Sequence, residues 1–96
     1  MIIELKKFGT TLTSRDSGSE AYRAIKATLN NLKNEEEVIL DFAGVSTFSP
    51  SWGDEFIVSI MRNHKNKVRL VKTGNKSVIA SLDLLADINK IKFNFR

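Results

Sequence analysis

Residues 38–61, VILDFAGVSTFSPSWGDEFIVSIM, constrain the fold more than any other stretch of this chain. Val38, Ile39 and Leu40 form a short apolar run that ends in Asp41 and Phe42. Ala43, Gly44 and Val45 then read as a turn, and Thr47, Phe48, Ser49, Pro50 and Ser51 lead into a helix. Trp52, Phe56, Ile57, Ile60 and Met61 recur at helical spacing and mark its buried side. A buried strand feeding a polar helix start is where sites gather in α/β domains, because free N–H groups converge there.

The flanking segments carry their own periods. Ile3 and Leu5 alternate with Glu4 and Lys6, the pattern of a half-buried strand. After Phe8 and Gly9, the β-branched run Thr10, Thr11, Leu12 and Thr13 predicts a second extended piece, which could pair with the first as a hairpin. Ser17 and Glu20 have capping-box spacing, so the first helix is expected to start there. Its predicted apolar stripe is Ala21, Ala24, Ile25, Thr28, Leu29 and Leu32. Glu35, Glu36 and Glu37 read as a soluble connection.

Beyond the central stretch, residues 68–72 predict another strand, and Asn75 or Ser77 offers a cap for a third helix. Val78, Ile79, Leu82, Leu85, Ala86 and Ile88 supply its stripe. Ile91, Phe93 and Phe95 alternate with Lys92, Asn94 and Arg96, a period of two that predicts a closing strand. Strands separated by amphipathic helices imply crossover connections. The expectation is one α/β domain over residues 1–96, with a largely parallel or mixed sheet of four to five strands and three helices.

Length and composition bound the function. With 96 residues, the chain can bury only about 60–65% of its unfolded surface, enough for one core. The absence of cysteine excludes disulfides, thiolate metal sites and cysteine nucleophiles. No run approaches the roughly 20 apolar residues that span a bilayer, and the start lacks a signal-peptide core. A cytoplasmic location, with no membrane contact, is the expectation. The net charge of +4 is milder than a dedicated nucleic-acid binder shows. The cluster Arg62, Lys65, Lys67, Arg69 and Lys72 therefore reads first as a solvated edge, and as a nucleic-acid surface only in second place.

No catalytic or metal constellation is evident, and no cofactor is expected. His64 falls at the end of the central helix, where it can meet the terminal carbonyls. Neither Gly53 nor the Gly74, Asn75, Lys76, Ser77 run has phosphate-loop spacing. Residues 49–55 invite a functional reading instead. In the plain account Ser49 caps the helix, Pro50 takes its first position, and Asp54 and Glu55 complement its positive end. Alternatively Ser51 is the cap, with Asp54 as its reciprocal partner. Gly53 fits neither account, since glycine inside a helix costs roughly 1 kcal/mol relative to alanine. It implies the close approach of another backbone or of a partner. Phosphorylation of Ser49 or Ser51 suits a helix N-terminus, yet Asp54 and Glu55 would oppose it. The loop residues Arg15 and Asp16 are a second polar candidate. A small anion- or nucleotide-binding module at the helix start is the least favoured alternative, because of the same acidic pair.

Residues 38–45 and 51–56 resemble the STAS-like domain family of unknown function (DUF4325). That family pairs an aspartate-aromatic-x-glycine-valine turn with a serine-aromatic-x-aspartate-glutamate helix start. Phe8, Gly9 and the run Leu12, Thr13, Ser14, Arg15 match its N-terminal pattern. More distantly, the chain is similar to STAS domains of bacterial anti-sigma factor antagonists, which bind an ATP-using kinase and are switched by serine phosphorylation at this helix start. With Asp41 and Val45 aligned, Pro50 stands at the phosphorylated position, between Ser49 and Ser51. The resemblance implies a non-enzymatic regulatory domain whose protein partner is an ATP-binding kinase-like or anti-sigma-like protein. Ser49, Ser51, Trp52, Asp54, Glu55 and Arg15 are the expected contact residues. The final helix common in STAS domains is missing, which implies apolar surface free for a partner or for a homo-oligomer.

Overall fold

The computed structural model describes residues 1–96, the side chain of Lys65 excepted. Strand β1 (Ile2–Glu4) runs into a 3-10 turn, Leu5–Phe8, and short strand β2 (Thr11–Leu12) precedes helix α1 (Arg15–Asn30). Strands β3 (Val38–Asp41) and β4 (Thr47–Phe48) lead to helix α2 (Pro50–Asn63). Strand β5 (Val68–Leu70) and helix α3 (Lys76–Asn89) complete the order.

The α/β class and the three helices match expectation, but the sheet differs from the single mixed one. The strands form a three-stranded sheet in the order β1-β3-β5 and a two-stranded sheet, β2-β4. Every pairing is parallel. The expected hairpin of the first two strands is therefore absent: β1 aligns Ile3 with Leu40, whereas β2 aligns Leu12 with Phe48. Leu5 leaves the strand for the 3-10 turn and still buries its whole side chain.

In the larger sheet Ile3, Leu40 and Leu70 share a face that is covered by the helices, and all three are buried. Phe48, Trp52 and Phe56 continue that core, with Trp52 stacked on Phe56 at 4.7 Å between ring centroids. The Trp52 indole Nε1 is buried without a hydrogen-bond partner. Such an orphan donor costs about 1–3 kcal/mol, which burial of so large a ring offsets.

Helix starts and ends depart from the sequence pattern in instructive ways. The cap of α1 is Ser14, whose hydroxyl oxygen accepts from the Ser17 N–H at 3.0 Å. The Ser17 and Glu20 pair therefore lies inside the helix. Gly18 joins Ala21 and Leu29 on the buried side, while Ala24 and Thr28 face solvent. Asn75 caps α3 by accepting from the Val78 N–H at 3.1 Å. On that helix Ile79 and Ile88 are exposed, and Ser81 takes a buried place by donating to the Phe48 carbonyl at 2.6 Å. Lys90 ends α3 in the left-handed conformation, φ 53°.

The closing segment forms one parallel bridge, Leu70 with Phe95, rather than a strand. The Leu70 N–H donates to Asn94 and the Arg96 N–H to Leu70, each at 2.8 Å. Phe93 is buried and Phe95 about half-exposed. The glutamate run does more than connect: Glu37 pairs with Arg69 at 3.3 Å, and Glu36 accepts from the Lys33 N–H.

Candidate functional site

The small sheet decides where the polar residues meet. Because β2 and β4 are parallel neighbours, the helices that follow them begin side by side. The Ser49 N–H donates to the Leu12 carbonyl at 2.9 Å, and the Ser49 hydroxyl donates to the Thr13 carbonyl at 2.8 Å. Ser49 thus occupies the N-cap position of α2 with an extended backbone, but its side chain ties the two helix starts together instead of capping. Pro50 takes the first helical position, where its missing N–H leaves no hydrogen bond unmade. Ser51 lies inside the helix, so it is not the cap.

From that start α1 and α2 run alongside in the same direction. Near their beginnings Arg15 Nη1 donates to Asp54 Oδ2 at 2.8 Å and lies 3.6 Å from Glu55 Oε1. Farther along, Asn63 Nδ2 donates to the Tyr22 hydroxyl at 3.1 Å. Near the helix starts the backbones come close: a Cβ on Gly18 would stand 2.5 Å from the Trp52 carbonyl oxygen. Glycine is the residue that permits this crossing. Gly53 answers a different neighbour, since a Cβ there would meet Leu85 Cδ1 at 2.5 Å and Phe48 Cζ at 2.6 Å. The close approach expected at Gly53 is made by two core side chains of the same chain.

Asp54 and Glu55 belong to the second turn of α2, not the first, so the helix dipole is not what holds them. Their partner is Arg15, whose pKa is raised first by the Asp54 hydrogen bond and then by the charges of Asp54 and Glu55, against some desolvation. Trp52 is fully buried, which removes it from the expected contact surface. An aromatic ring at a helix start can face either way, and here it anchors α2 in the core.

Arg15, Pro50, Ser51 and Asp54 share a depression of about 140 Å³ with Leu85, Ile88 and Asn89 of α3. Ile88 is 64% exposed there, and Leu84, one turn earlier, is 47% exposed. The sequence pattern placed Ile88 in the buried stripe and gave no weight to Leu84. Ile88 extends the polar start of α2 into an apolar surface, and Leu84, four residues earlier, follows on the same side of α3.

The basic cluster does not form one face of free cations. Arg62 donates to Asn89 Oδ1 at 3.4 Å, Lys67 to the Lys33 carbonyl at 3.3 Å, and Arg69 is paired with Glu37. Lys65 lies outside the described side chains. His64 ends α2, its N–H donating to the Ile60 carbonyl at 2.9 Å. Among the described residues no group of three or more histidine or acidic side chains could hold a metal ion, and no helix is long and apolar enough to cross a membrane.

The family model described as a STAS-like domain of unknown function (DUF4325) matches residues 23–78, more than half of the chain. The match runs from within α1 to the start of α3, so it includes Ser49, Ser51, Asp54 and Glu55 and stops short of Arg15. No curated protein and no solved structure matches the chain.

Proposed function

Because the chain belongs to the STAS-like DUF4325 family, we propose that it is a non-enzymatic regulatory domain that binds a protein partner through the start of α2. The observation that carries this reading is Ile88, a largely exposed isoleucine beside Ser51 and Asp54. An apolar anchor next to a hydroxyl and a charged pair has the make-up of a protein contact: a desolvated centre with a polar rim. The Ser49 hydroxyl is occupied by Thr13 and Trp52 is buried. The contact set is therefore Ser51, Asp54, Glu55 and Arg15, extended by Leu84 and Ile88.

The likeness to anti-sigma factor antagonists suggests the partner's chemistry, an ATP-binding kinase-like regulator in a bacterial cytoplasm. In this reading Ser51 is the hydroxyl open to modification. A phosphate there would face Asp54 and Glu55, so Arg15 would have to leave them to stabilise it. The nucleic-acid alternative has less support, since Arg69 and Lys67 are already engaged.

Capture from native lysate, with and without ATP, tests the proposal. The expected result is recovery of an ATP-binding protein that is lost with Ile88→Glu and with Ser51→Arg, while both variants keep the parental melting temperature. Retention by both folded variants would move the contact elsewhere. Capture of nuclease-sensitive material alone would overturn the reading.

A further inference from the structure

A second surface lies away from α2, along the free edge of β1. The larger sheet has the order β1-β3-β5, so β1 has a neighbour on one side only. The Met1 carbonyl accepts from the Ile39 N–H at 2.8 Å. By the period of two, Ile3 also turns its N–H and C=O toward β3, while Ile2 turns both groups outward and Glu4 its N–H, the Glu4 carbonyl opening the 3-10 turn. A groove of about 160 Å³ is lined by the four consecutive residues Met1, Ile2, Ile3 and Glu4, with Lys7, Phe8 and Ile25 as its other wall. The three consecutive strand residues, with Met1 before them, can line one groove only along the strand's edge, since the faces present alternate residues. No residue of β3 lines it, in agreement.

We propose that this edge binds an extended peptide segment of a partner protein, added to the sheet as a strand beside β1, with one aliphatic side chain inserted between Ile3, Phe8 and Ile25. Three observations select that occupant. The outward groups of Ile2 and Glu4 are spaced for an extended backbone, the pattern that strand addition uses. The groove is smaller than the roughly 300–1,000 Å³ of a drug-sized ligand site, and its half-buried Phe8 and Ile25 suit a single apolar side chain. The charges favour an acidic segment: Glu4 is paired with Lys6 at 3.6 Å, whereas Lys7 is exposed on the wall with no acidic partner among the described residues. The edge is short, three residues, but Ile2, 62% exposed at its start, brings neither a proline nor a charge to it.

The test titrates the ¹⁵N-labelled chain with a short capped peptide that alternates valine with threonine and glutamate. A control peptide carries lysine for glutamate. The expected result is saturable movement of the Ile2 and Glu4 amide signals, slower hydrogen exchange at both, and perturbed Ile25 methyls. The lysine peptide should bind about two- to fivefold more weakly, the range of one exposed ion pair. Ile2→Pro removes an outward donor without touching the β3 ladder and should abolish binding with the fold intact. If that variant fails to fold, Lys7→Glu at the exposed wall should reverse the preference between the two peptides. Signals that move only around Ser51 and Ile88, unsaturable shifts, or an edge already protected by a second copy of the chain at working concentration would each overturn the proposal.

Discussion

Arg15 and Asp54, 39 residues apart in sequence, meet at 2.8 Å because the helices that carry them are launched from two adjacent parallel strands. Their ion pair is exposed, so its value lies in orienting two helix starts more than in stability. Arg15→Glu would set three acids together and is expected to lower the melting temperature. Adding Asp54→Arg should restore it. A double-mutant cycle read by thermal denaturation checks this, and additive effects would show that the pair is not coupled.

The pH dependence of the pair has a definite sign. A raised arginine pKa gives stability that is fully present below the unfolded value and lost only as pH rises through the folded one. Both lie beyond the alkaline range in which the fold can be studied. The stability difference between the parent and Arg15→Gln should therefore be flat from neutral to moderately alkaline pH, as urea titrations at several pH values would show.

Gly18→Ala sets a helix-propensity gain of about 1 kcal/mol against a Cβ 2.5 Å from the Trp52 backbone oxygen. A backbone atom cannot rotate away, so the helices must separate. Overpacking of this kind typically costs about 1–3 kcal/mol, and net destabilisation in urea is expected. Gly53→Ala should also destabilise, but less, because Leu85 and Phe48 can shift their side chains.

The two serines at the start of α1 should behave differently. Ser14→Ala removes the cap on the Ser17 N–H and is expected to cost about 1 kcal/mol. Ser17→Ala, inside the helix, should be close to neutral. Equal losses at both positions would contradict the observed cap.

At the other end of the fold, Lys90 holds a left-handed conformation that disfavours side chains. Lys90→Gly should stabilise the protein by about 0.5–1 kcal/mol, a rise in melting temperature that calorimetry can detect.

Much of this architecture is legible in the sequence because it depends on periodicity. The three helices, the buried run at Val38, Ile39 and Leu40, and proline at the start of α2 all follow from spacing and residue chemistry. Strand partners do not, since β2 and β4 are two residues long and carry too little pattern to reveal which strands they join. Gly18 resembles loop punctuation until its backbone neighbour is known. Ile88 was misplaced because α3 is apolar around much of its circumference, so composition leaves the width of its buried face open. Arg15, Ser51 and Asp54 were legible as polar candidates, while their convergence required the β2 and β4 register. Trp52 was legible by spacing as part of the buried side of α2, and its full burial agrees; only the resemblance made it a contact residue.

The parallel pairing of every strand carries a consequence for how the chain reaches this state. Ile2 joins Ile39, Thr11 joins Thr47 and Val38 joins Val68, so no two strands can pair before a loop of about thirty residues or more has closed. Without a hairpin to seed it, the sheet is a late reward for an early entropic cost. Only the helices can form from local contacts, so α1, α2 and α3 are expected to be the first structure to appear.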